Sequence, residues 1–279
     1  MDRLRKALEL SRAQRSDGSR PDGLTVAAAA APHGLKGVGA AKEDSAQLVR
    51  VRARSVPVSA EVLRRHRILL AGADDITANA YKRLRVQVLQ LLRKHGYNSV
   101  AVVSPSSEDG RTLTAINLAI TVAEDPSHTA LLVDMDLRQP SVHRLFGLEP
   151  RLGVGDCLRR AAEVGDTLLR PESFPNLALL PGTTAQRQPS ELLAGESAKD
   201  LSAELRTRYA NRIVIYDLPP LLGTADVLAF LPCVQAVLLV ACESHTRRDD
   251  IAESLTLLRG VPLVGTVLNG SREKRAVGR

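Results

Sequence analysis

Three aspartates stand directly behind apolar runs or beside one that does. Ala130-Leu-Leu-Val133 leads into Asp134, with Asp136 two residues further on, and Ile213-Val-Ile-Tyr216 leads into Asp217. Carboxylates at the tips of buried strands are hard oxygen donors of the kind that hold Mg2+. A hydroxyl to join them closes the segment Ser104-Pro-Ser-Ser-Glu-Asp-Gly-Arg-Thr112. This polar stretch lies between an apolar run and a helical one, where backbone N–H groups and a helix start face an anion. Against the phosphate-loop pattern G-x-x-x-x-G-K-[ST] it keeps Gly110 and Thr112 but has Pro105 and Arg111 where the first Gly and the Lys belong. By itself the loop reads as an ordinary strand-to-helix connection capped by polar residues. Together, the loop and the aspartates at neighbouring strand tips favour a nucleotide site.

For these residues to meet, the chain must build an open parallel sheet. Apolar runs at Ser99–Ser104, Thr129–Asp134, Leu177–Leu180, Ile213–Asp217, Ala236–Ala241 and Val264–Leu268 read as strands. Helical segments at Leu113–Ala123, Ala198–Arg208 and Arg247–Leu258 alternate with them. An amphipathic helix over Thr77–His95, with Tyr81, Leu84, Val88 and Leu91 on one side, precedes the first strand. The expected fold class is α/β, a doubly wound, mostly parallel sheet with helices on both faces. The expected domain spans residues 68–279, behind a basic region, 1–67, with a short helix at Met1–Gln14 and a disordered linker from Ser16 to Arg54.

Composition narrows the field further. The first 70 residues hold 14 Lys and Arg against 7 Asp and Glu, so the whole excess of +7 lies there. That reads first as a solvated tail. Aromatic residues make up only 3%, with no Trp, which removes the stacking surfaces of single-strand nucleic-acid binders, and no nucleic-acid partner is expected. Cys157, Cys233 and Cys242 have neither disulfide nor zinc spacing and read as buried thiols. No signal peptide or spanning segment is evident, and a cytoplasmic location is expected.

Leu131-Leu-Val-Asp-Met-Asp-Leu-Arg138, followed by Gln-Pro-Ser-Val-His-Arg-Leu-Phe-Gly147, resembles the second nucleotide-site signature of the P-loop bacterial tyrosine kinases, above all the exosortase-associated autokinases of capsule and exopolysaccharide loci. Ile213-Val-Ile-Tyr-Asp-Leu-Pro-Pro220 with Asp226 is similar to the family's Walker B strand. Leu180-Pro-Gly182, Pro189-Ser-Glu-Leu-Leu193 and Thr114-Ala-Ile-Asn-Leu-Ala119 resemble further family segments. The resemblance implies the deviant P-loop NTPase fold, of the branch that includes the partitioning and cell-division ATPases, with ATP and Mg2+ as cofactors.

By position, the resemblance implies that Ser107, Glu108, Asp109, Gly110, Arg111, Thr112 and Leu113 cradle the phosphates and that Asn269 contacts adenine. It places Thr112, Asp134 and Asp217 at the metal, and Asp134, Asp136 and Arg111 at the transferred phosphoryl group. Arg138 is either structural or a phosphate contact. The implied role is control of polysaccharide polymerisation or export with a membrane co-polymerase, as a homo-oligomer held peripherally at the inner face of the plasma membrane through that partner.

The departures from the family weigh on catalysis. Pro105 removes an N–H donor, Glu108 puts a negative charge where the family has Gly, and Arg111 replaces a compact ammonium by a planar fork. The tail from Asn269 to Arg279 has no tyrosine, although the family commonly autophosphorylates there; Tyr81, Tyr97, Tyr209 and Tyr216 read as core or helix residues. The family's E-x-x-R-x-x-R oligomerisation motif appears as Asn79-x-x-Lys82-x-x-Arg85. Two alternatives to an active kinase therefore stand: an inactive pseudokinase scaffold of the same system, and an ATPase of the partitioning or cell-division type.

Overall fold

A computed structural model describes residues 53–208, 211–243 and 245–271. The expected N-terminal helix, nearly all of the linker, Tyr209 and the last eight residues of the tail lie outside the described residues. Eight strands form one sheet in the order β1-β4-β5-β3-β6-β2-β7-β8: β1 (Arg54–Val56), β2 (Ser99–Val103), β3 (Thr129–Asp134), β4 (Leu169–Pro171), β5 (Leu177–Leu180), β6 (Arg212–Asp217), β7 (Val237–Cys242) and β8 (Leu263–Asn269). Every pairing is parallel except β4 with β5. The doubly wound, mostly parallel sheet is therefore present, with two strands more than the sequence reading gave. The additional strands are three residues long and carry Arg54 and Arg170, so neither leaves an apolar run.

The central strands are buried on both faces, which explains their nearly continuous apolar sequences. Side chains alternate between two cores. Val100, Val102, Ala130 and Leu132 pack into one, and Ala101, Val103, Leu131 and Val133 into the other. The first core is covered by α2 (Ile76–His95) and α3 (Arg111–Ala123), which follow α1 (Ala60–Arg65). Asp75 caps the start of α2 by accepting from the Ala78 N–H at 2.7 Å, and Gly96 ends it in the left-handed conformation. α3 is buried nearly all round, as its sequence RTLTAINLAITVA requires.

Short helices α4 (Val142–Leu145), α5 (Val154–Leu158), α6 (Val164–Thr167), α7 (Pro189–Ala194) and α9 (Asp226–Phe230) join the longer α8 (Glu196–Thr207) and α10 (Arg248–Leu257). β1 and α1 precede residue 68, the expected start of the domain. Their Val56 and Leu63 join the first core, so residues assigned to the N-terminal region belong to the sheet and its cover. Cys157 and Cys233 are buried as expected, whereas Cys242, at the end of β7, is only half-buried; all three are free thiols. Tyr216 lies in the second core, and Tyr81 and Tyr97 pack against the first.

Candidate functional site

The carboxyl ends of β2, β3, β6, β7 and β8 meet on one edge of the sheet. After β2 the chain turns through Ser104–Gly110 and enters α3. Ser104 Oγ donates to the Ser106 carbonyl at 2.6 Å, and the Ser106 N–H donates to Asp109 Oδ2 at 2.9 Å, so the loop curls on its own polar groups. Its base is tied to the segment after β6, where the N–H groups of Leu221 and Leu222 donate to the carbonyls of Ser104 and Pro105. Pro105 thus keeps a structural acceptor while it lacks the donor of the common pattern.

Glycine is required at Gly110 for two reasons. Its φ is +83°, and a Cβ there would lie 1.8 Å from Asn269 Nδ2. Glu108, where the family pattern has Gly, is also left-handed, with φ of +71°, and strains an L side chain. Ser107 and Glu108 are exposed at the loop tip, and Thr112 and Leu113 are half-buried in the first turn of α3. That turn leaves N–H groups without intrahelical partners, the usual anion-binding end of a helix.

Asp109 does something else. It is fully buried, and both oxygens of its carboxylate are taken up by protein partners. Its Oδ1 accepts from Thr246 Oγ1 at 2.6 Å and pairs with His245 Nδ1 at 3.0 Å, while its carbonyl accepts from Asn269 Nδ2 at 3.0 Å. One residue therefore ties the loop after β2 to the tips of β7 and β8. The contact with Asp109, helped by Glu108, raises the pKa of His245 above its usual value. Sequence reasoning missed His245 and Thr246, since the segment Cys242-Glu-Ser-His-Thr246 after β7 matches no phosphate-loop or aspartate signature. The rule that ligands gather beyond strand carboxyl ends applied to that tip as well.

The three aspartates do converge. Asp134 and Asp217 lie opposite each other in the β3–β6 register. Asp134 Oδ2 accepts the N–H groups of Ser141 and Val142 at 2.9 and 3.0 Å, but its Oδ1 is buried without a hydrogen bond. Asp217 Oδ1 accepts from Arg111, and its Oδ2 is buried likewise. The Thr112 hydroxyl lies close enough to favour the ionised Asp217 without closing a bond of normal geometry to it. Burial, then the charge of Asp217, push the Asp134 carboxyl up to about 8; burial also raises Asp217, against the pull of Arg111.

Two orphaned carboxylate oxygens beside a hydroxyl form a hard-oxygen cradle, and these residues fit Mg2+. They form an incomplete set: among the described residues no group of three or more His, Cys, Asp or Glu side chains is placed to hold a metal by itself. A bound nucleotide and water supply the missing oxygens at a site of this kind.

Arg111 faces inward. Nε donates to Asp217 Oδ1 at 3.1 Å and Nη2 to Asp136 Oδ2 at 3.1 Å, and Nη1 reaches Ser104 Oγ at 3.4 Å. Asp136 is also held by the Gln139 N–H. Arg138 makes a two-pronged bond to the fully buried Asp226, which also accepts from Ser190 Oγ, so Arg138 is structural here. The Asn79, Lys82 and Arg85 series makes contacts within the chain, the first two on Asp74 and Arg85 Nη1 on the Thr121 carbonyl, while Arg85 Nε is buried without a hydrogen bond.

An open parallel sheet, a strand–loop–helix with Gly110 and Thr112, and paired aspartates at adjacent strand tips define a P-loop NTPase type of domain. No protein-family profile matches the chain. It is 26% identical over 212 residues to the tyrosine-protein kinase YwqD of Bacillus subtilis, covering 75% of this chain and 88% of that one. It is also 26% identical over 243 residues to the succinoglycan biosynthesis transport protein ExoP of Rhizobium meliloti, covering 84% of this chain and 30% of ExoP. The crystal structure of the VpsO kinase domain shares 29% identity at a TM-score of 0.62, covering 70% of this chain and 94% of that one. The chain is accordingly a homologue of the bacterial tyrosine-protein kinases, built on their kinase-domain fold. It spans most of YwqD but under a third of longer relatives. Among the described residues no helix is long and apolar enough to cross a membrane.

Proposed function

We propose that the chain binds ATP with Mg2+ at the tips of β2, β3 and β6 and acts, as its relatives' names indicate, as a tyrosine-kinase-type regulator of exopolysaccharide or capsule polymerisation or export. One observation carries this reading: Asp134 and Asp217 stand side by side, each with an orphaned buried oxygen, next to Thr112 at the end of a phosphate-type loop. Buried unpaired carboxylate oxygens are costly unless a cation completes them.

In this reading the N–H groups of Gly110 to Leu113 bind the phosphates, and Thr112, Asp134 and Asp217 hold the metal. When bound, Mg2+ neutralises charge on the phosphate oxygens. Asp136, opposite Arg111, accepts the proton of the attacking hydroxyl. Arg111 supplies positive charge to the transferred group once it is released from the carboxylates. Such a site works by positioning and charge stabilisation. Asn269, held by the Asp109 carbonyl beside Gly110, contacts the adenine base in this reading. The partner is the cytoplasmic segment of a membrane co-polymerase, which brings the chain to the inner face of the membrane, and the chain acts as an oligomer.

A second reading keeps the nucleotide and drops the chemistry. The engagement of Arg111 with Asp136 and Asp217 favours it, because the charge meant for the phosphates is spent on the acids. Incubation of the full chain with γ-labelled ATP, Mg2+ and the co-polymerase segment separates the two. Phosphotyrosine that appears with the natural chain and not with Asp136→Asn supports the kinase; nucleotide binding without phosphotyrosine assigns the inactive scaffold.

A further inference from the structure

Arg111 occupies the position of the phosphate-loop lysine, but all three guanidinium nitrogens are turned to protein partners and its side chain is only 9% exposed. The two carboxylates it bridges come from different strand tips, Asp136 after β3 and Asp217 at the end of β6. A lysine ammonium is a point charge on a flexible stem, whereas the planar fork of arginine engages both acids at once.

Consider each ligand arriving by itself. A polyphosphate that draws the guanidinium outward leaves Asp136 and Asp217 buried, uncompensated and facing added negative charge, with Asp134 in register beside them. A divalent cation that settles on Asp134 Oδ1, Asp217 Oδ2 and the Thr112 hydroxyl meets a guanidinium on the other oxygen of Asp217 and, among the described residues, finds no third carboxylate or imidazole to complete its shell. When both arrive, the guanidinium passes to phosphate oxygens while Asp217 passes to the cation, and every charge keeps a partner.

We propose that Arg111 makes this site selective for a metal–nucleotide complex: a divalent cation and a nucleoside polyphosphate are accepted only as a pair. This rests on the nucleotide-binding reading above and adds a rule of linkage to it. The exchange breaks two charge-assisted hydrogen bonds, so either ligand alone binds about a hundredfold more weakly than in the presence of the other. Removing the fork frees the cation cradle from that requirement.

The test is Mn2+ binding, read by its electron paramagnetic resonance signal, together with calorimetry of ATP, on the full chain and on Arg111→Met and Arg111→Lys. In the natural chain, millimolar Mn2+ alone and ATP in EDTA both fail to bind, and the two bind together. In Arg111→Met, Mn2+ alone binds about a hundredfold more tightly than in the natural chain. Arg111→Lys falls between them and serves if the methionine variant unfolds, circular dichroism being the check. Equal Mn2+ affinity in the natural chain and a folded variant overturns the proposal, as does ATP binding by the natural chain that is indifferent to the metal. A natural chain that binds no nucleotide under any condition defeats the nucleotide reading alone; the Mn2+ comparison then still decides whether Arg111 guards the cradle.

Discussion

Asp134 and Asp217 face each other across the β3–β6 ladder, fully buried, and each presents one carboxylate oxygen with no hydrogen bond. A sheet that needed only stability has no use for two adjacent acids in its interior. Asp134→Asn keeps the oxygen that accepts from Ser141 and Val142 and offers an amide N–H toward Asp217. It is expected to raise the melting temperature of the ligand-free chain, by about 2–4 °C for each kcal/mol gained, and to abolish metal-dependent nucleotide binding. Thermal melting beside calorimetry checks both; a less stable variant that still binds the metal contradicts this view of the pair.

Glu108 holds a left-handed conformation at an exposed loop tip, where a side chain costs about 1–2 kcal/mol and glycine costs little. Glu108→Gly also removes a negative charge beside the phosphate position. It is expected to stabilise the chain by about 1 kcal/mol in urea unfolding and to tighten nucleotide binding. Weaker binding in this variant means that Glu108 contacts the ligand favourably.

The contact between His245 and Asp109 makes loop order depend on pH. The folded pKa of His245 lies above its usual 6.5, so its contribution is complete below the unfolded value and is lost as pH rises through the folded one. Amide exchange in residues 104–110, corrected for intrinsic rates, is expected to accelerate across that window in the natural chain and not in His245→Gln. Asp109→Ala removes the acceptor for Ser106, His245 and Thr246 together and is expected to cost about 2–4 kcal/mol. A pH profile unchanged by His245→Gln would place the switch elsewhere.

Arg138 neutralises Asp226, which is fully buried while the arginine is 46% exposed. Arg138→Ala leaves a buried carboxylate with only Ser190 as a partner. The expected cost is about 2–3 kcal/mol, below that of a wholly buried pair because water reaches the arginine. Chemical denaturation reads it; a loss under about 0.5 kcal/mol, the range of an ordinary surface change, indicates that Asp226 is served by other groups.

The central strands and long helices were legible because both faces of β2, β3, β6 and β7 are buried and α3 is apolar nearly all round. The acidic tips followed from the same runs. What stayed hidden was pairwise. Nothing in the segment around Arg111 says that its side chain turns toward Asp136 and Asp217 and away from a phosphate, since those partners are 25 and 106 residues away. Asp109 looked like a loop residue facing the ligand and is an inward tie to β7 and β8. The short strands β1 and β4, at one side of the sheet, escaped because three residues containing an arginine carry no period.

The nucleotide site is tested most directly by calorimetry of ATP with Mg2+ on the full chain, with Thr112→Ala and Asp217→Asn as companions. Binding that requires the metal and is lost in both folded variants is the predicted result. No heat at millimolar ATP with Mg2+ present, from a natural chain shown to be folded, contradicts the nucleotide site.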